Sequence, residues 1–280
     1  MSEALLEVKD LRVNFGGGRD IFLRRKGHFE AVRGVDLTIR KGESFAIVGE
    51  SGAGKSTVAK CIVGLQKPTA GAVRFAGEPL RVEKDSAQRR AIQMVFQDPY
   101  GSLNPRMTVG GAIGELLRVN GVVADRAAAR ARTAELLEMV GLPGTAMKKR
   151  PRAFSGGQRQ RIGIARALAI DPTLLVADEP VSALDVSIQA SILILLKRLQ
   201  RELGLTMVFI SHDLAVVKQL CDRVAVMNDG VVVEEGSVGE VLAHPEDPYT
   251  RKLLDATTEL PPLETTRLQA VGSSPGETAG

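Results

Sequence analysis

Cysteine, long apolar runs and net charge are all scarce in this sequence, and each shortage closes off a class of protein. Only two cysteines occur in 280 residues, Cys61 and Cys221, far apart and without metal-ligand spacing. They read as reduced, mostly buried thiols of a cytosolic protein. No run of about 18 apolar residues exists, so no segment is expected to span a bilayer, and work at a membrane would require another chain as anchor. Met1 to Asp10 alternates acidic and apolar residues and lacks a signal peptide's basic start and long apolar stretch. The formal net charge is only +4, too small a bias to argue for nucleic acid or a lipid surface. Between the two glycine-rich motifs described below there is neither a long coiled coil nor a zinc insertion. What remains is ordinary for a globular protein: 44% hydrophobic and 25% charged residues, enough chain for one large α/β domain with a subdomain, or two modest domains.

The pattern along the chain is strand–helix alternation. Leu5 to Phe15 alternates like an edge strand, and Gly16 to Glu30 reads as a long hairpin loop carrying Arg24-Arg25-Lys26, most simply a solvated basic stretch. Val35 to Ile39, Ser44 to Val48, Ile92 to Phe96, Leu174 to Ala177 and Thr206 to Ile210 are strand candidates. Several of them are short apolar runs without alternation, as strands buried on both faces are. Val58 to Leu65 continues a helix begun near Gly54. Asp125 to Val140 has helical spacing and is stopped by Gly141-Leu142-Pro143-Gly144, so roughly Pro99 to Phe154 reads as a helical insertion. Ile188, Ile192, Leu195, Leu196, Leu199 and Leu203 form a helical stripe. Ser237-Val238-Gly239-Glu240 is a capping box that starts a short helix. The composition after about Ala256 predicts a disordered tail, and no internal repeat is present. The expected fold is a mainly parallel sheet covered by helices.

Two local arrangements carry chemistry. Gly49-Glu50-Ser51-Gly52-Ala53-Gly54-Lys55-Ser56, followed by Thr57, fits G-x-x-x-x-G-K-[ST] between an apolar strand and a helix. Such a loop curls backbone N–H groups around phosphate at a helix N-terminus. Lys55 supplies charge to the β- and γ-phosphates, and the Ser56 hydroxyl is placed to ligate Mg²⁺. At the end of the Leu174 strand, Asp178 and Glu179 stand where α/β sheets bind ligands. Asp178 suits the metal, and Glu179 suits a water aimed at the γ-phosphate. A second anion turn, Phe154-Ser155-Gly156-Gly157-Gln158, opens another helix. One nucleotide does not need two γ-phosphate cradles in one chain, so this turn is read as serving a partner's ATP. His212 ends the Thr206 strand, within reach of a γ-phosphate.

Taken together, these stretches resemble the ABC (ATP-binding cassette) ATPases over about residues 5 to 255. Gly49 to Thr57 matches the Walker A motif, Gln97 the Q-loop glutamine, and Phe154 to Gln158 the signature. Leu174 to Glu179 matches Walker B, Ser182-Ala183-Leu184-Asp185 the D-loop, and His212 the switch histidine. The resemblance implies the P-loop NTPase fold: a RecA-like core with a mainly parallel sheet, an antiparallel β subdomain and an inserted α-helical subdomain near 99–154. It implies ATP and Mg²⁺ as cofactors, the metal held by Ser56, Gln97 and Asp178. Glu179, His212 and Gln97 are the implied catalytic residues. Gly49, Ser51, Gly52, Gly54, Lys55, Ser56 and Thr57 are the implied nucleotide contacts, with Ser155, Gly156, Gly157, Gln158 and Asp185 contributed across a dimer. Phe15 stands where the family stacks an aromatic residue on adenine, with Phe29 as an alternative.

Phe154 departs from the commoner leucine and points to a subfamily. With Gly49 to Gly52, the Gln97 to Pro105 run, and His244-Pro245 followed by Asp247 to Arg251, the chain resembles the ATPases of dipeptide and oligopeptide importers. Residues 236–256 match their C-terminal extension, and 257–280 are the tail. Some members carry an iron–sulfur cluster on C-terminal cysteines; with none after Cys221, no cluster is expected. The implied partners are a second ABC ATPase (a copy or a paralogue), two integral membrane permease subunits and, indirectly, a solute-binding protein, with no nucleic acid. The implied location is the cytoplasmic face of the cell membrane. A soluble, non-transport ABC complex is the competing function.

Overall fold

The computed structural model describes residues 3–16, 29–81, 87–98, 101, 103–182 and 184–256. Arg24-Arg25-Lys26 and most of the expected hairpin loop, Pro99, Tyr100, Ser102, Ala183 and the 257–280 tail lie outside the described residues.

Three runs build the centre. Ser44–Val48 (β3), Leu174–Asp178 (β7) and Thr206–Ser211 (β8) are buried at every residue. Such runs suit strands covered on both faces, and they pair in parallel, β3 with β8 and β8 with β7. Ile92–Val95 (β6) adds to β7, and Arg223–Asn228 (β9) adds to the other side of β3, both parallel. Val231–Ser237 (β10) returns antiparallel on β9, giving the order β10-β9-β3-β8-β7-β6.

Side chains leave this sheet alternately on its two faces. Phe45, Ile47, Val176, Val208 and Ile210 enter one core cluster, with Val58 and Ile62 of the helix Lys55–Ile62 (α1). That cluster is closed by a second, antiparallel sheet of Ala4–Phe15 (β1), Phe29–Arg40 (β2), Ala70–Phe75 (β4) and Glu78–Pro79 (β5), ordered β2-β1-β4-β5. The edge-strand reading of Leu5 to Phe15 is therefore corrected: β1 pairs with β2 on one side and β4 on the other. An alternating pattern reports that one face is buried and carries no information about how many edges are paired.

Ala46, Val48, Leu175, Ala177, Phe209 and Val226 face the opposite cluster, built on helices. After the short helix Ala87–Ala91 (α2) and β6, Val109–Val119 (α3) starts where Thr108 Oγ1 accepts the Gly111 N–H, at 3.1 Å. Arg126–Met139 (α4) starts where Asp125 accepts the Ala128 N–H, at 2.8 Å. Two 3₁₀ turns, Gly144–Lys148 and Pro151–Ala153, lead to Gly156–Leu168 (α5). Ile113, Leu117, Leu136, Leu137 and Ile162 join the three helices in the core, and Phe154 packs with them, 8% exposed. Val186–Leu203 (α6) buries Ile192, Leu195, Leu196 and Leu199 as its stripe predicts. Leu203, counted in that stripe, is 44% exposed: it sits one residue before the left-handed cap Gly204, past the end of the sheet's cover.

Leu214–Leu220 (α7) precedes β9. Val238–Ala243 (α8) follows β10, with Ser237 accepting the Glu240 N–H as its spacing predicts. Pro248–Asp255 (α9) has Asp247 as its N-cap. Among the described residues no helix is long and apolar enough to cross a membrane.

Candidate functional site

The carboxyl ends of the parallel strands converge. In register, Val48 of β3 lies beside Ser211 of β8, Asp178 of β7 beside Ile210, and Val95 of β6 beside Ala177. The loop after β3, the acidic pair after β7, His212 after β8 and Gln97 after β6 thus leave one edge of one sheet, as ligand sites of open α/β sheets do.

The glycine loop is shaped by close approach. A Cβ on Gly49, at φ +152°, would sit 2.1 Å from the Met227 carbonyl oxygen, and one on Gly54, at φ +98°, would sit 2.4 Å from that of Ala31. The loop is therefore seated on β9 and β2. Gly49→Ala is expected to cost on the order of 1–3 kcal/mol of stability, since the obstructing atoms are backbone. A fall in Tm accompanied by loss of ATP binding is the expected result, read by thermal melting and nucleotide titration. A variant with wild-type Tm and affinity would contradict it.

Lys55, the first residue of α1, is 4% exposed. Its Nζ donates to the carbonyls of Gly49 at 2.7 Å and Glu50 at 2.8 Å. Burial pushes its pKa below the ordinary lysine value, opposed by the charges of Glu179 and Asp178. Ser56 Oγ donates to Asp178 Oδ1 at 2.9 Å. Burial raises the Asp178 pKa, the Ser56 hydrogen bond opposes that, and the neighbouring Glu179 charge adds to it. Thr57 continues α1, its N–H donating to the Gly54 carbonyl, while Ser51 and Gly52 form the exposed crest of the loop.

The two acidic residues face different neighbours. Asp178 turns to Ser56, whereas Glu179, in the left-handed region at φ 44° and 17% exposed at its side chain, turns the other way. Gln97 Nε2 donates to Glu179 Oε2 at 3.0 Å, and His212 Nδ1 stands 3.5 Å from Glu179 Oε1. Gln97 also donates to Ser182 Oγ at 3.2 Å. In sequence, Ser182 is legible only as the first residue of the D-loop match. Its place in this cluster follows from the turn in which the Ser182 N–H and hydroxyl both donate to the Glu179 carbonyl.

The second anion turn is built separately. Ser155 caps α5: its Oγ accepts the Gln158 N–H at 3.3 Å, and Gln158 Oε1 accepts the Ser155 N–H at 3.1 Å. The Gln158 side-chain oxygen is thus engaged in the capping box. Gly157 is buried, and a Cβ there would stand 2.4 Å from Ile188 Cγ2, so its smallness seats α5 against the start of α6. At Gly156 the approach is looser, a Cβ standing 3.1 Å from Leu184 Cδ2. Asp185 precedes α6, exposed and without a side-chain capping bond. Phe15 and Phe29, the two aromatic candidates for adenine, are cross-strand partners, 43% and 61% exposed.

Two further supports of the loop were not visible in sequence. Gly230 N–H, in the β9–β10 turn, donates to the Ala53 carbonyl at 3.1 Å. The hydroxyl of Tyr249, on α9, accepts the Glu50 N–H at 2.9 Å.

A family model described as "ABC transporter" matches residues 32–182. The oligopeptide transport ATP-binding protein OppF of Escherichia coli (strain K12) is 49% identical over 259 residues, 91% of this chain and 78% of the relative. The OppF of Lactococcus lactis subsp. lactis (strain IL1403) is 46% identical over 270 residues, 95% of this chain and 83% of the relative. Among solved structures, cbiO1 from Clostridium perfringens, part of the ABC transporter complex cbiONQ, superposes with a TM-score of 0.74 at 31% identity, over 88% of this chain and 93% of that one. The dimeric, post-hydrolysis state of the ATP-binding cassette MJ0796 bound to ADP and Pi superposes with a TM-score of 0.73 at 33% identity, over 84% and 99%.

Proposed function

Because the chain belongs to the ABC transporter ATP-binding family, we propose that it is the ATP-hydrolysing subunit that powers an importer of oligopeptides or a related small solute. The observation that carries this reading is the near-half identity to oligopeptide transport ATP-binding proteins across more than nine-tenths of the chain. It is supported by the meeting of Lys55, Ser56, Gln97, Asp178, Glu179 and His212 at one sheet edge.

In this proposal the loop 49–57 cradles the triphosphate, and Lys55 exchanges its bonds to the loop's own carbonyls for phosphate oxygens. Ser56 and Asp178 are the residues for Mg²⁺, with Gln97 joining when the site closes. Their hard oxygens suit that ion. The hydroxyl–carboxylate pair already lies within hydrogen-bond distance, and among the described residues no cluster of three or more His, Cys, Asp or Glu offers an all-protein cage. A bound Mg²⁺ would supply charge neutralisation at the phosphates. Glu179, oriented by Gln97 and His212, polarises the attacking water. Ser155, Gly156, Gly157 and Asp185 serve the nucleotide of a second cassette, so closure of the pair completes each site and hydrolysis releases it. Phe15 and Phe29 together offer the adenine an aromatic edge. Residues 1–255 form the ATPase domain, and the helices within 99–154 carry the motion from Gln97 to two integral membrane permeases at the cytoplasmic face.

A tagged copy of the chain, extracted from its native membranes in mild detergent, is expected to bring down a second ATPase and two integral membrane subunits. Recovery in a soluble complex without membrane proteins would overturn the importer reading and favour a non-transport ABC complex.

A further inference from the structure

The outer side of the nucleotide loop is held by the C-terminal helix. Glu50, the second residue of the loop, is gripped at both backbone groups. Its carbonyl accepts Lys55 Nζ at 2.8 Å, and its N–H donates to the Tyr249 hydroxyl at 2.9 Å. Its carboxylate lies 3.7 Å from Lys252 Nζ, one turn further along α9, but both partners of that pair are well exposed and the contact is worth little.

Tyr249 is presented on a fixed support. Glu234 of β10 accepts the N–H groups of Glu246 and Asp247 at 3.0 and 3.1 Å, and Asp247 Oδ1 accepts the Tyr249 N–H at 2.7 Å. Arg251 donates to the carbonyls of Pro245 and Glu246, and Thr250 and Leu253 are buried. The ring packs against the helix-side core. A rigid helix, rather than solvent, thus sets the position of the peptide whose carbonyl receives Lys55.

We propose that Tyr249 is a positioning residue for the nucleotide: its hydroxyl fixes Glu50 so that the loop and Lys55 are preorganised for the triphosphate. Preorganisation of a binding loop acts on affinity, because the ordering cost is met before the ligand arrives. The C-terminal segment, 199 residues from the loop in sequence, then tunes nucleotide affinity. This inference rests on the reading of residues 49–57 as the ATP loop.

Tyr249→Phe removes the hydroxyl and keeps the ring. In the full chain assembled with its partner ATPase, KM for ATP is expected to rise about three- to tenfold, the loss of one hydrogen bond to a binding element, with kcat at saturating ATP within twofold of wild type. Hydrogen exchange of the loop around Glu50 is expected to speed up while that of α9 stays unchanged. Lys252→Ala, removing only the exposed pair, is expected to leave both readouts within twofold. A Tyr249→Phe protein with wild-type KM and loop exchange, or one that loses kcat with KM intact, overturns the proposal while leaving the ATP reading standing. A wild-type assembly with no saturable ATP dependence would instead overturn the reading of the loop.

Discussion

Glu179→Gln is expected to cut ATP turnover by about 10²-fold or more while leaving ATP binding intact, the range expected for loss of a group that handles a proton. The separation of the two effects comes from the local geometry. Asp178, the residue proposed for the metal, turns to Ser56, whereas Glu179 turns to Gln97 and His212. An amide at position 179 has the same shape and still accepts from Gln97 through its oxygen. It keeps the backbone at φ 44° without new bulk, so neither the metal pair nor the glycine loop is disturbed. What the amide cannot do is hold negative charge near the attacking water or take up its proton. A steady-state phosphate-release assay beside an ATP titration checks both halves. Wild-type turnover in the variant would remove Glu179 from the chemistry.

The second large effect is expected at Ser155. With an arginine there, ATP-driven pairing of cassettes is expected to be lost, while ATP binding by the isolated chain survives. Ser155 is exposed and closes the capping box of α5 with Gln158, so its hydroxyl and N–H are both engaged within the turn. The nucleotide loop is built from other bonds, those of Lys55, Ser56 and Asp178, and from its seat on Met227 and Ala31. Loss of the cap costs α5 about 0.5–2 kcal/mol, too little to unfold a helix anchored by Ile162, Ile164 and Leu168. On the proposed arrangement, the arginine instead fills with a long side chain the space in which the partner's γ-phosphate would approach the helix N-terminus, and the block is steric. Light scattering of the Glu179→Gln pair with Mg-ATP, with and without the Ser155 change, is the check. Undiminished pairing would show that the turn serves no partner nucleotide.

The parts of this architecture that sequence reveals are those governed by local physics. Ser44–Val48, Leu174–Asp178 and Thr206–Ser211 are strands because short, largely apolar runs without alternation can be buried on both faces. The cap at Ser237 and the stop after Val140 are likewise short-range chemistry. Arg223–Asn228 holds a four-residue apolar run, too short for periodicity to separate strand from helix. Val231–Ser237 has no fully buried residue, and Ala70–Phe75 buries only Val73 and Phe75, so neither shows the contrast that marks a strand. The phosphate loop, the acidic pair and the capped turn are legible because their spacing is the mechanism. The bond from Glu50 to Tyr249 and the seat on Met227 are not, because partners separated by 178 to 199 residues leave no local pattern. Gly157 joins both kinds: read as part of a cradle, it is also the gap that admits Ile188.

The central claim is that each nucleotide is held by the lysine loop of one chain and the capped serine turn of its neighbour. The most direct measurement is a structure of the ATPase pair carrying Glu179→Gln and loaded with Mg-ATP. The account predicts each triphosphate with Lys55 of one protomer at its phosphates and the serine turn of the other protomer closing over its γ-phosphate. A triphosphate lying between Lys55 and Ser155 of the same protomer would contradict it.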